Sequence, residues 1–337
     1  MGRPKRVTIR DVAKAAAVSI TTVSDALNGK GRLPAATRDR VVAVAAGLGY
    51  HASPNARRLR QGRTGAIGLY LPDRASGLDY YMNVALGAAD AAFARDLTLT
   101  LMPIRPDARQ KISADLLDGL IVVDPMLTDP VLDTLAGLDV PIVSCERDLG
   151  SPARFAGVVT ADNRAAVHEL LGHLARRGAT TIGLLGLAGD TAFGSDVRAA
   201  YLDWCAARGQ PPLISQTPFV DSAESRYQAA DRLLNDHPEI DAVVGAPEGG
   251  ALGILQAAER HGIRVPEDML IASCVDHSSL WSAKPPITAI DLNPRLMGRY
   301  GAELLADLLE GRAAAPVTRA LPTRLVERDS TLPRAPR

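Results

Sequence analysis

The chain has 337 residues, 47% hydrophobic and 4% aromatic, with 38 Lys+Arg balanced by 38 Asp+Glu. This length accommodates two or three domains with sizeable cores, and no uncharged apolar run of about 18 residues is present to span a membrane. The N-terminal MGRPKRVTIRDVAK lacks a signal-peptide stretch, so a cytoplasmic location is expected, while Cys145, Cys205 and Cys274 make no close pair, which argues against a disulfide framework or a zinc site. The zero net charge hides a division: residues 1–65 hold 13 basic and 3 acidic residues, a net of +10, which leaves −10 on the remaining 272. A basic head on an acidic body is the pattern of a nucleic-acid-binding module joined to something else. A disordered basic tail has the same sign, so the head must be shown to fold.

Thr8 followed by Asp11 is a helix-start signal, and Ile9, Val12 and Ala13 share one face, which predicts a short first helix. After a three-residue turn, Ala16-Ala17-Val18, Ser19 can cap a second helix from Ile20 to Leu27. Val23, Ala26 and Leu27 face inward in it, and Ile20, Thr21, Thr22 and Asp25 outward. Asn28-Gly29-Lys30-Gly31 stops that helix. A third is expected from about Pro34 to Leu48, with Val41, Val42, Val44, Ala45 and Leu48 as its apolar stripe. Three short helices with this first turn make a helix-turn-helix.

The run V-T-I-R-D-V-A-K-A-A-A-V-S-I-T-T-V-S-D-A-L-N, then T-R-D-R-V and L-G-Y, closely resembles the DNA-binding domain of the lactose-repressor/galactose-repressor (LacI/GalR) family of bacterial transcription regulators. The resemblance implies that the second helix enters the major groove, with Ile20, Thr21 and Asp25 reading bases. It implies that Thr8, Ser19, Thr22, Asn28, Thr37 and Tyr50 act mainly against the phosphate backbone. Read from the sequence alone, the same residues are also ordinary caps and turn residues. Asp25 departs from the family, which most often has Arg there to contact guanine; an aspartate can accept from cytosine N4–H or be repelled by phosphates. Ala17 stands where the family turn usually has Gly, and Pro34 where a Ser cap is usual.

Beyond Tyr50, A-R-R-L-R-Q-G-R-T resembles the family's hinge segment, which becomes a short helix on the operator. The resemblance implies that Ala56 and Leu59 meet the minor groove, with Leu59 wedged between base pairs. The Pro54-Asn55 pair falls two places later than the family's, while the Tyr50-to-Leu59 spacing fits. A basic run of this kind is otherwise a solvated linker.

From Gly65, short apolar runs alternate with amphipathic stretches. The runs are Ile67 to Leu71, Thr98 to Met102, Leu120 to Val123, Pro141 to Cys145, Gly157 to Val159, Thr181 to Leu185, Ala242 to Gly245 and Leu270 to Cys274. Helical stretches are expected near 80–95, 109–117, 129–137, 163–177, 196–208, 223–236, 249–262 and 294–310. This alternation predicts α/β architecture with parallel sheets and right-handed crossovers. T-G-A-I-G-L, D-N-R-A-A, H-L-A-R-R-G, I-R-V-P-E-D, P-P-I-T-A-I and L-P-T-R-L-V-E-R-D-S-T resemble the family's two-lobed, periplasmic-binding-protein-like sensor, so the likeness runs over about residues 6–331.

The organisation that follows is a helix-turn-helix domain at 1–50, a hinge at 51–64, an effector-binding and dimerisation domain at 65–331 and a tail at 332–337. The sensor's early lobe is expected at roughly 65–160 plus 290–320, and its late lobe at 161–285 plus the C-terminal strands. Ligands of such folds bind at the carboxyl ends of the strands, between the lobes. By resemblance the effector contacts are Glu146, Arg198, Glu248 and Asp276, with Asp73, Phe219 and Asp221 near the cleft. Pro247 replaces the Asn of the family's Asn-Asp pair, and a surface salt bridge is the plainer role for any one of the four. The resemblance implies a homodimer on double-stranded operator DNA, a repressor controlled by a small-molecule effector with a sugar as the default, and no cofactor or metal.

Two rival readings are an enzyme and a secreted sugar-binding protein. The chain has no Walker A, G-x-S-x-G or H-E-x-x-H pattern, and Gly183, Gly186 and Gly189 do not form the dinucleotide fingerprint. His168 and His173, five apart, fall on different helix faces. The basic head and the missing signal stretch argue against the secreted protein.

Overall fold

The structure is a computed structural model that describes residues 7–27, 32–50, 63–72, 78–102, 116–127, 129–151, 154–188, 191–218 and 222–332. The chain divides into two compact units, Met1–Gly65 and Ala66–Arg337.

The first unit holds α1 (Ile9–Ala15), α2 (Ile20–Leu27) and α3 (Ala35–Gly47). At the start of α1, Asp11 Oδ2 accepts from the Thr8 amide at 2.8 Å and from its hydroxyl at 2.7 Å. At the start of α2, Ser19 Oγ accepts from the Thr22 amide at 3.0 Å. Both contacts satisfy donors that a helix leaves without intrahelical acceptors. Val12, Ala13, Ala16, Val23, Ala26, Val41 and Ala45 form the core. The expected stripe on α3 is narrower than the sequence suggests: Val42, 46% exposed, lies off the face that Val41, Val44 and Ala45 turn to α1 and α2, and Leu48, 39% exposed, is the C-cap just past the end of the helix. Ala17, in the turn, has φ 53°, the left-handed region that explains a glycine preference there.

The second unit contains two six-stranded sheets. One, in the order β11-β5-β4-β3-β1-β2, comprises β1 (Ala66–Tyr70), β2 (Thr98–Met102), β3 (Gly119–Val123), β4 (Ile142–Cys145), β5 (Gly157–Ala161) and β11 (Val317–Leu321). All of its pairings are parallel. The other, in the order β12-β10-β9-β8-β6-β7, comprises β6 (Ile182–Ala188), β7 (Ile214–Pro218), β8 (Ala242–Gly245), β9 (Leu270–Ser273), β10 (Thr288–Asp291) and β12 (Arg324–Val326). Here β12 runs antiparallel to β10, a departure from the all-parallel expectation. The chain passes between the sheets after β5, after β10 and after β11, which defines an early and a late lobe.

Central strands β3, β8 and β9 are buried at every residue, as strands covered on both faces must be. The two lobes repeat one local device. Ile142-Val143-Ser144-Cys145-Glu146 and Ile271-Ala272-Ser273-Cys274-Val275 each place a buried serine whose hydroxyl donates to the carbonyl two residues on, Glu146 and Val275 respectively. Each strand is thereby tied off where the cleft begins.

Helix α4 (Asp79–Ala94) packs against α11 (Pro294–Leu309), which also crosses β3, β4 and β5. The helices meet through two glycines: a Cβ on Gly87 would lie 1.9 Å from the Arg295 carbonyl, and one on Gly298 would lie 1.9 Å from the Val84 carbonyl. The remaining helices are α5 (Leu132–Ala136), α6 (Asn163–Arg176), α7 (Ala192–Arg208), α8 (Ala223–Asp236), α9 (Gly250–Arg260) and the short α10 (Ser278–Trp281). The segment expected to be helical near 109–117 lies largely outside the described residues. His173 is a core residue, with Nε2 2.8 Å from Thr331 Oγ1, and burial holds its pKa below the usual value.

Candidate functional site: the reading helix and the interlobe cleft

On α2 the buried side is Val23 and Ala26, so the opposite side is free to face a ligand. Ile20 (44%) and Thr21 are exposed, and Thr22 and Asp25 are half-exposed. Ser19 and Thr22 hydroxyls lie 2.8 Å apart within the cap, and Thr8 is likewise engaged by Asp11, so Thr8 and Ser19, two of the expected backbone-contact residues, also serve as helix starts. Thr37 is half-buried in the first turn of α3, and Tyr50 packs against the small core. Arg10, Lys14, Arg32 and Arg40 are exposed, giving the unit a basic surface. Asn28, Ala56 and Leu59 lie outside the described residues.

In the second unit the carboxyl ends of β3, β4, β6, β8 and β9 converge on a cavity that opens to solvent. Leu78, Tyr80, Tyr81, Leu187, Phe193 and Val275 supply apolar and aromatic wall, while Asp124, Glu146 and Glu248 supply carboxylates. Tyr80 and Tyr81 stack edge to face, with ring centroids 5.1 Å apart.

Asp124 and Glu146 end adjacent strands, and both take positive φ, 45° and 83°. Such conformations are costly for residues with a Cβ and persist where the surroundings impose them. Here the Asp124 amide donates to the Cys145 carbonyl at 2.9 Å and the Glu146 amide to the Val159 carbonyl at 2.7 Å, which fixes the turn from strand to cleft. Tyr81 Oη donates to Asp124 Oδ2 at 2.6 Å. Glu146 accepts from Thr160 Oγ1 at 3.0 Å and from the Ala161 amide and Asn163 Nδ2 at 3.4 Å. Burial raises the Asp124 pKa to about 6 against the lowering effect of Tyr81. Burial first, and then the neighbouring Asp124 charge, raises Glu146 to about 7.

The four expected effector contacts separate. Glu146 and Glu248 line the cavity. Asp276 lies instead in an open depression of about 920 Å³ that shares Tyr80 with the cavity, and it is bound by Arg328 and by Trp281 Nε1 at 3.0 Å. Arg198 is exposed on α7 and is not among the residues lining either space. Two helix positions earlier, Asp196 engages Arg147 through both oxygens at 2.7 Å. Asp73, Phe219 and Asp221 lie outside the described residues. Asp124 and the Tyr80-Tyr81 pair were not singled out in the sequence. An acid directly after the buried run Leu120 to Val123 was the available signal for Asp124, since open α/β sheets bind ligands at strand ends. Among the described residues no cluster of His, Cys, Asp and Glu has a metal-binding arrangement, and no helix is long and apolar enough to cross a membrane.

Comparison with known proteins places both parts. Residues 8–53 match the family described as bacterial regulatory proteins, lacI family, and residues 171–331 match a periplasmic binding protein-like domain. The chain is 29% identical to the HTH-type transcriptional regulator CelR of Thermobifida fusca, over 98% of this chain and 100% of the relative. It is 26% identical to catabolite control protein A of Staphylococcus xylosus, over 96% and 99%. Its fold is similar to a CelR–cellobiose complex, with a TM-score of 0.74, 27% identity and coverage of 96% and 100%. It also matches the lac repressor dimer bound to operator and the anti-inducer ONPF, with a TM-score of 0.76, 24% identity and coverage of 97% and 100%. With a lacI-family match over a capped three-helix unit, a periplasmic binding protein-like match within a two-lobed α/β unit, and relatives aligned over nearly their whole length, the chain belongs to the LacI family of bacterial regulatory proteins, DNA-binding regulators of transcription.

Proposed function

We propose that this protein is a homodimeric repressor that binds double-stranded operator DNA through its heads and is controlled by a small molecule held in the interlobe cleft. The observation that carries the DNA half is the side of α2 turned away from the core, Ile20, Thr21, Thr22 and Asp25, on a unit of net charge +10. Domain boundaries at 1–50, 51–64 and 65–331 fit this division, and Leu59 acts as the hinge wedge. Such a regulator works in the cytoplasm, where the DNA is.

The cavity's carboxylates suit a ligand rich in hydroxyl donors, and a sugar is the effector we propose. The CelR structure contains cellobiose. Asp124 and Glu146 are the proposed polar contacts. Asp276 and Arg198 would join them only after rearrangement, since one is paired and the other is outside the cavity wall. For the dimer, Met82 (40%), Leu86 (47%) and Phe93 (83%) form an exposed apolar stripe along α4, with Leu101 (53%) on the edge strand β2 beside it.

The test is fluorescence anisotropy of the full-length protein on an operator selected from its own promoter region, between about 50 and 200 mM salt. Specific binding falling steeply with salt supports the reading. Leu59→Ala should lose specific binding and keep effector affinity, whereas operator footprints like those of the wild type would remove the hinge assignment.

A further inference from the structure

Helix α4 begins without a cap of its own. The residue before it is Leu78, whose side chain cannot accept a hydrogen bond, and the amides of Asp79 and Tyr80 have no intrahelical acceptor. Glu248, from the loop after β8 in the opposite lobe, fills both places: Oε1 accepts from the Asp79 amide at 2.7 Å and Oε2 from the Tyr80 amide at 3.0 Å. The helix N-terminus carries partial positive charge, so a carboxylate is the favoured partner. Two further contacts cross the same cleft. Asp79 accepts from the Ser278 hydroxyl at 2.5 Å, and Arg147 of the early lobe pairs with Asp196 of the late lobe.

We propose that Glu248 is an internal ligand, a latch that holds the two sensor lobes together by capping α4. Resemblance assigns this position to effector contact; the geometry assigns its carboxylate to the chain itself. Both oxygens are occupied by amides of the other lobe, in the form a bound carboxylate would take. Separation of the lobes, as entry or exit of an effector would need, then requires Glu248 to release α4. Pro247, by stiffening the loop just before Glu248, restricts where the carboxylate can go. Asp79 makes the arrangement reciprocal, since it caps the start of α10 while Glu248 caps the start of α4. The latch rests on reading the cleft as the effector site.

Its test uses neither effector nor DNA, so its failure would leave that reading standing. Amide hydrogen exchange of the full-length protein is measured at residue resolution in wild type, Glu248→Ala and Glu248→Gln. The first two amides of a helix ordinarily exchange fast, so protection at Asp79 and Tyr80 in the wild type is the latch's signature. Glu248→Ala should raise exchange there by about tenfold or more, the effect of losing charge-assisted hydrogen bonds, with Ile121 and Val143 unchanged as controls for folding. Glu248→Gln, which keeps the shape and one neutral acceptor, should fall between, and it carries the test if the alanine variant does not fold. Unprotected Asp79 and Tyr80 amides in the wild type, or protection that survives both substitutions, would overturn the proposal.

Discussion

Asp276 holds Arg328 through both carboxylate oxygens, at 2.9 and 2.7 Å, while the same guanidinium donates to the Ile287 carbonyl at 2.6 Å. The pair is mostly buried, with side-chain exposures of 11% and 15%. Breaking such a pair from one side strands a charge. Arg328→Ala should therefore destabilise the body by about 2–4 kcal/mol in urea unfolding, and the double variant with Asp276→Ala should recover part of that loss. Equal losses in the single and double variants would mean that the pair acts by packing alone.

The α4–α11 crossing predicts an effect with no charge in it. A methyl at position 298 must displace the Val84 carbonyl, which belongs to a helix backbone and cannot rotate away. Gly298→Ala should cost about 2–3 kcal/mol despite the better helix propensity of alanine. A stability change within about 0.5 kcal/mol would show that the helices separate freely.

Asp124 and Glu146 make stability fall as pH rises. Both pKa values, about 6 and about 7, lie above those of free carboxylates, so the folded chain holds more protons than the unfolded chain between about pH 4 and 7. Their contribution is fully present below pH 4 and is lost as pH passes 6 and 7. Asp124→Asn keeps an oxygen to accept from Tyr81 and removes the charge. The variant should gain stability relative to wild type on going from pH 5 to pH 8, by on the order of 2 kcal/mol. Parallel stability–pH curves for the two proteins would contradict this.

The head carries a strained alanine. At φ 53° a Cβ is unfavourable, and Ala17→Gly should slow hydrogen exchange across residues 9–27 by the equivalent of about 0.5–1 kcal/mol. Faster exchange would show that the chain-entropy cost of glycine outweighs the relieved strain.

How far the sequence reached depended on which physical signal each part carries. The three head helices were legible because capping residues and apolar spacing agree: Thr8 and Ser19 cap the helices they were expected to cap, and Val23 and Ala26 are buried. Fully buried strands such as β3 and β9 announce themselves as apolar runs. Strands β7 (ISQTP) and β11 (VTRAL) do not, because edge strands face solvent and carry polar residues. In the cleft, resemblance led to Glu146 and Glu248, which line the cavity. It could not foresee that Asp276 is held by Arg328, a residue 52 positions away, or that Glu248 caps a helix 168 positions away. Such pairings depend on how the lobes meet, and no local pattern encodes them.

Reading of DNA sequence by the head is the central claim, and selection from random double-stranded DNA by the full-length protein tests it most directly. The expected result is enrichment of an inverted repeat with two half-sites, and Asp25→Arg should change the preferred base within each half-site while keeping their spacing. An enriched pool without a symmetric motif would contradict the claim, and an unchanged motif in the Asp25→Arg variant would show that this residue reads nothing.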